Sequence, residues 1–197
     1  MSLPAVMKQF SIGLIALALG AAAPLAAQQV GQPSAFFDSG PDVLQHAPDF
    51  SLAWADSAGI GQGEWFGLSA HRGKVVVLAF YPRDFTSTCT TEMQTFAAQY
   101  DSLFGPEVVV VGINADSVET HARFAASTRI PFKLLSDPDQ AVSKKYGSAD
   151  KGGYNRRTIY VIGRNGDVAW REPQFRALDP KSYNTLRKAV ALAVKAK

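Results

Sequence analysis

The strongest signal in the chain is an unbroken apolar run, Val75-Val76-Val77-Leu78-Ala79-Phe80-Tyr81, stopped by Pro82. A run of that length without alternation predicts a strand buried on both faces, at the centre of a sheet. After a polar stretch, Cys89, Met93, Phe96, Tyr100 and Leu103 recur at helical spacing until Gly105-Pro106 ends the pattern. The chain thus reads as a central strand followed by a helix whose first turn holds Cys89. Val108 to Ile113 predicts a second apolar strand, Ser117 to Thr128 a helix capped by Ser117, and Pro131 to Leu135 a third strand. Asp137-Pro138-Asp139 opens a short helix to Tyr146, and the strands Thr158 to Ile162 and Val168 to Trp170 flank an Asn165-Gly166 hairpin step. Asp179-Pro180 starts a last helix running through Leu186 and Val190. Upstream, Ala47 to Leu52 predicts a short first strand, and residues 56–67, rich in glycine and serine, a loop. Strands alternating with helices, without a repeat or a second-domain boundary, give an α/β architecture with a mixed sheet between helices.

Residues 1–27 depart from this pattern. They carry one charge, Lys8, then an apolar run from Phe10 to Gly20 and small residues to Ala27. This predicts a secretory signal peptide cut after Ala27, and hence an exported protein, periplasmic or secreted. The rival reading is an uncleaved membrane anchor, against which the apolar run is shorter than the ~20 residues a bilayer span prefers; after cleavage no stable membrane insertion is expected. Residues 28–45 mix Gln, Pro, Gly and Ser without periodicity and read as a mobile linker or surface-hugging arm. That leaves 46–197 as the folded domain. With 47% hydrophobic residues a sizeable core can form, and the 20 basic residues against 17 acidic ones are too evenly spread to mark a nucleic-acid surface.

Composition changes the picture most through cysteine, because there is one in the whole chain. No intramolecular disulfide can form, and an unpaired cysteine in an exported protein points either to reactivity or to a small buried hydrophobe. The thiolate is the nucleophile, so reactivity needs surroundings that favour negative charge. A helix start supplies unsatisfied N–H groups, and Arg156 and Arg157, just before a strand, offer a fixed positive charge. Thr86 precedes Cys89 by three residues, so its hydroxyl can lie beside the sulfur; Pro82 can wall the site off without a donor. Glu92, one turn along the same helical face, can hold an arginine. His46, His71 and His121 lie far apart and read as surface or cap residues; with no second cysteine, neither a metal site nor any other cofactor is expected.

Taken together, Pro82-x-x-x-Thr86-x-x-Cys89 followed by Thr90-x-Glu92 resembles the active-site signature of the peroxiredoxins, thiol peroxidases on a thioredoxin-like fold. The resemblance extends over residues 46–195, through Ala47-Pro48-Asp49-Phe50, Ser117-Val118-Glu119-Thr120-His121, Pro131 to Asp137 and Arg157 to Ile162, and is nearest the bacterioferritin-comigratory, Q-type branch. It implies that Cys89 is the peroxidatic cysteine, that Thr86 positions the peroxide and that Pro82 shields the sulfur. It also implies that Arg157, rather than Arg156, stabilises thiolate and incoming oxygens, with Glu92 orienting it. The branch's usual Pro-Gly is Ser87-Thr88 here, and its resolving-cysteine position, five residues after the first, is Gln94. A single-cysteine enzyme follows, reducing hydrogen peroxide and organic hydroperoxides and recycled by an external thiol or a thioredoxin- or glutaredoxin-like reductant, as a monomer or homodimer. The rival reading is a non-enzymatic redox sensor or binding module on the same fold. A thiol:disulfide exchange protein would want a second cysteine where Glu92 stands.

Overall fold

The computed structural model describes Met1 and residues 39–196. The rest of the predicted leader and residues 28–38 of the arm lie outside the described residues. Among the described residues seven strands and five α-helices follow in chain order: β1 (Ser51–Asp56), β2 (Gly59–Gly67), β3 (Val75–Phe80), α1 (Ser87–Ala98), α2 (Tyr100–Leu103), β4 (Val108–Asn114), α3 (Val118–Thr128), β5 (Lys133–Ser136), α4 (Ala141–Lys145), β6 (Thr158–Ile162), β7 (Val168–Glu172) and α5 (Pro180–Lys195). The strands form one mixed sheet in the order β2-β1-β5-β4-β3-β6-β7. The β3–β4 and β4–β5 pairs run parallel, and the other pairs antiparallel.

The apolar run of β3 reads as continuous because both of its faces are covered. Successive strand residues point to opposite faces. Val75, Val77 and Ala79, with Tyr81 beyond the strand end, enter a cluster that holds Cys89, Met93, Phe96, Phe124, Leu186 and Val190. Val76, Leu78 and Phe80 enter another with Phe50, Phe66, Val142, Tyr146 and Tyr160. Register then places the site. Phe80 at the end of β3 pairs with Thr158 at the start of antiparallel β6, so the residue before β6, Arg157, stands beside the loop that leaves β3.

Four sequence expectations are corrected. The first strand is Ser51–Asp56 rather than Ala47–Leu52, and residues 59–67 are not a loop but the edge strand β2, hairpinned to β1. Of β2 only Phe66 is buried, so side chains give no alternation to read and backbone pairing with β1 decides the conformation. The helix from Cys89 to Leu103 breaks at Gln99 (φ −110°, ψ 17°) into α1 and α2, and this turn lets Tyr100 stack on Phe132. The part of the arm that is described is docked rather than mobile: Pro41 is buried, Asp42 pairs with Arg171 at 2.6 Å and Leu44 N–H bonds the Val168 carbonyl at 2.8 Å. Helix ends follow the sequence, with Ser117 accepting from Thr120 N–H at the start of α3 and Asp179 from Lys181 N–H at the start of α5.

Candidate active site

Pro82 has no N–H to continue a ladder, and after Tyr81, whose N–H still reaches the Ile113 carbonyl at 3.2 Å, the chain leaves the sheet. Phe85 then adopts φ +57°, a left-handed conformation that a bulky side chain rarely takes. This turn delivers Thr86 in an extended conformation as the N-cap of α1, and the Thr86 carbonyl accepts from Thr90 N–H at 2.8 Å. Its hydroxyl makes no capping bond. Instead it donates to the Arg83 carbonyl at 3.1 Å, which commits its proton and leaves its lone pairs free to accept. Cys89 is the third residue of α1, inside the first turn, where backbone N–H groups lack intrahelical partners.

The Cys89 sulfur is fully buried and receives an N–H from Arg157 Nη2 at 3.3 Å. Nη1 of the same guanidinium donates to Glu92 Oε2. Glu92 comes three residues after Cys89, so helical geometry sets both side chains toward Arg157. Burial works against the Arg157 charge, but the Glu92 carboxylate and the Cys89 sulfur outweigh it and hold the guanidinium above its ordinary value. For Glu92 burial wins: it pushes the carboxyl up to about 7, against the pull of Arg157. Its second oxygen, Oε1, is buried without a partner among the described residues. A thiol sulfur beneath a fixed cation at a helix start is a nucleophile suited to an electrophile that gains negative charge as it reacts.

The structure therefore brings Cys89, Glu92 and Arg157 into direct contact. Thr86 and Pro82 line the loop leading into α1, Pro82 half-buried and Thr86 exposed. Arg156 is turned away and donates to the Gly147 carbonyl at 2.6 Å. His121 corrects the sequence reading, since it is neither surface nor cap. Its ring is fully buried, with Nδ1 2.8 Å from Asp84 Oδ2 and Nε2 3.2 Å from the Leu135 carbonyl. His46, at the surface, pairs with Asp167, and His71 stacks on Phe66. Among the described residues no group of three His, Cys, Asp or Glu side chains is arranged to hold a metal ion.

Sequence reasoning missed Tyr81, Asp84 and Asn114, which with His121 form one buried network around Asp84 beside the loop. Tyr81 Oη donates to Asp84 Oδ1 at 2.6 Å, and Asn114 Nδ2 donates to the same oxygen at 3.1 Å. One signal was available: His121, Phe124 and Ala125 fall at helical i, i+3, i+4 spacing, which marks His121 as part of the buried face of α3.

Comparison with known proteins fits this geometry. Residues 43–171 match the AhpC/TSA family. Peroxiredoxin Bcp of Bacillus subtilis is 30% identical over 157 residues, covering 74% of this chain and 95% of that protein. The solved bacterioferritin comigratory protein of Xanthomonas campestris, described for its alkyl peroxide reduction activity, superposes with a TM-score of 0.66 at 25% identity, over 77% of this chain and 99% of that one. BcpB of Mycobacterium tuberculosis, a peroxidoxin, gives a TM-score of 0.65 at 25% identity, over 77% and 97% of the two chains. The domain is thus thioredoxin-like, as the resemblance implied.

Proposed function

This chain belongs to the AhpC/TSA family and is a thiol-dependent peroxidase, and from that premise we propose how its own residues carry the reaction. The Cys89 thiolate gives an electron pair to the terminal oxygen of a hydroperoxide, and the O–O bond breaks. The departing oxygen takes up a proton and leaves as water or an alcohol, while Cys89 becomes a sulfenic acid. Arg157 and the first-turn N–H groups of α1 stabilise charge developing on both oxygens, and Thr86, its own proton engaged by the Arg83 carbonyl, accepts the peroxide O–H. Pro82 shields the sulfur. The contact that carries this reading is Arg157 bonded at once to Cys89 and Glu92.

Recycling uses a thiol from another molecule, since the chain has one cysteine. That thiol condenses with the sulfenic acid, releasing water and leaving a mixed disulfide, and a further thiol displaces Cys89 as the reduced form. Because the sulfur is fully buried, the first turn of α1 opens locally for the incoming thiol to reach it. Alkyl hydroperoxides join hydrogen peroxide as substrates, by analogy with the activity described for the Xanthomonas campestris protein. Steady-state peroxide consumption with dithiothreitol or thioredoxin tests the cycle. Turnover, together with a trapped mass adduct of one small thiol per chain after oxidation, supports it; a wild-type rate from Cys89→Ser contradicts it.

Export is part of the proposal. Lys8, the apolar run from Phe10 to Gly20 and the small residues to Ala27 support cleavage after Ala27 and action in the periplasm or outside the cell, as a monomer or homodimer. Terminal sequencing of protein from a periplasmic fraction checks the first point, and its sedimentation the second.

A further inference from the structure

Residues 82–86 have no ladder of their own, and the bonds that tie them to the sheet run through two carboxylates. Asp84 points inward, its side chain fully buried. Oδ1 accepts from Tyr81 Oη and Asn114 Nδ2, and Oδ2 faces His121 Nδ1 at 2.8 Å. The Asp84 N–H in turn donates to Asp116 Oδ2 at 2.7 Å, Asp116 N–H donates to Asn114 Oδ1 at 2.6 Å, and Arg83 faces Asp116 across 3.6 Å. The end of β3, the end of β4 and the N-terminal half of α3 thus converge on one residue of the loop. Both His121 nitrogens face oxygens, Asp84 Oδ2 on one side and the Leu135 carbonyl on the other. Burial, reinforced by Asp84, keeps the Tyr81 phenol far above its ordinary value and hence a donor. Room for that phenol comes from Gly112, where a Cβ would lie 3.0 Å from Tyr81 Cε1 and 2.7 Å from Leu134 Cδ2.

What this node holds in place is functional geometry. Phe85, next in the chain, keeps its left-handed conformation although its ring is 55% exposed, with one edge on Phe124 at 5.1 Å. A residue in that conformation persists only when its neighbours over-determine it. One neighbour is Asp84, pinned to three elements; the other is Thr86, the N-cap of α1. The Thr86 hydroxyl is oriented by the carbonyl of Arg83, directly before Asp84. A shift of Asp84 therefore moves both the acceptor that aims Thr86 and the entry into the Cys89 turn, while Arg157, anchored from β6, stays where it is.

We propose that Asp84, held by Tyr81, Asn114 and His121, is a positioning residue for peroxide reduction: it fixes the loop so that Thr86 and the first turn of α1 meet the peroxide in register. The inference rests on the peroxidase reading. Misplacing a positioning contact by about 1 Å costs on the order of 10²-fold in rate. Two rates separate positioning from general damage: Cys89 oxidation by hydrogen peroxide in stopped flow, and Cys89 alkylation by iodoacetamide, which needs the thiolate but not the aligned loop.

In Asp84→Ala the peroxide rate constant falls by about 30-fold or more while alkylation does not fall. Asp84→Asn keeps the shape; its amide oxygen accepts from Tyr81 and Asn114 and its NH₂ faces His121 Nδ1, so the peroxide rate returns to within about five-fold of wild type. Tyr81→Phe, which keeps the packing and removes one donor, lowers the peroxide rate by about three- to ten-fold and decides the matter if the alanine variant does not fold. Wild-type peroxide rates in Asp84→Ala or Tyr81→Phe overturn the proposal, as does a parallel fall of the peroxide and alkylation rates. A wild-type protein no faster with peroxide than free cysteine overturns the peroxidase reading itself, so the two failures are distinguishable.

Discussion

Two carboxylates are buried beside the loop that leaves β3, and they are treated differently. Asp84 has a partner on each oxygen, drawn from three elements, whereas Glu92 has Arg157 on one oxygen and nothing on the other among the described residues. A fully satisfied buried network rigidifies its surroundings, and a buried polar atom left without a partner carries the cost of lost solvation. The satisfied carboxylate sits under the loop that must keep its shape. The unsatisfied one sits on Arg157, the arginine proposed to stabilise charge as it moves from sulfur to peroxide oxygen. The contrast marks a division between scaffold and chemistry only a few residues apart in the chain.

The largest effect expected from breaking this contrast is on stability at Asp84. Asp84→Ala removes one member of a buried, hydrogen-bonded pair and strands His121, which costs roughly 3–5 kcal/mol in a denaturant titration. Glu92→Ala, whose partner Arg157 is partly exposed, costs less by the same measurement. On the chemical side, Arg157→Ala removes the fixed donor to the reacting atoms and lowers the peroxide rate constant by about 10²–10³-fold, with the fold retained by circular dichroism.

Glu92 also predicts a pH signature. Its carboxyl is pushed from its ordinary 4.5 up to about 7, so between those values the folded chain keeps a proton that the unfolded chain releases. Stability is then fully present below about pH 4.5 and declines as pH rises through 7, by as much as roughly 3 kcal/mol. Glu92→Gln flattens that window; an equally steep slope in the variant would show that another group is responsible. The smallest effect belongs to Tyr81→Phe, about 1 kcal/mol of stability for one hydrogen bond, since Asn114 remains on the same Asp84 oxygen.

Much of this was legible in the sequence where side-chain periodicity carries the information. The unbroken run of β3, the helical spacing after Cys89 and the capped starts of α3 and α5 each match an element. The edge strand β2 was hidden because its side chains are mostly exposed and only its pairing with β1 reveals it. Within the site, Cys89, Thr86 and Glu92 are close in the chain, so local geometry was enough to relate them. Arg157 lies 68 residues from Cys89, and residue chemistry alone left it level with Arg156. What separates the two is the register of β6 against β3, which no local pattern encodes. The pairing of Asp84 with His121, 37 residues apart, was invisible for the same reason: helical spacing marks His121 as buried, but only the parallel pairing of β3 with β4 brings the two together.

The central claim is that Cys89 is the group that reduces peroxide, with its reactivity supplied by Arg157 and the start of α1. A single-turnover measurement tests it directly: reduced protein mixed in stopped flow with one equivalent of hydrogen peroxide, quenched, and the modified residue located by mass spectrometry. The account predicts a sulfenic acid on Cys89, formed at least about 10³-fold faster than by free cysteine at the same pH and reduced to near the free-cysteine rate in Arg157→Ala. Oxidation at the free-cysteine rate in the wild type, or a rate unchanged by Arg157→Ala, would contradict it.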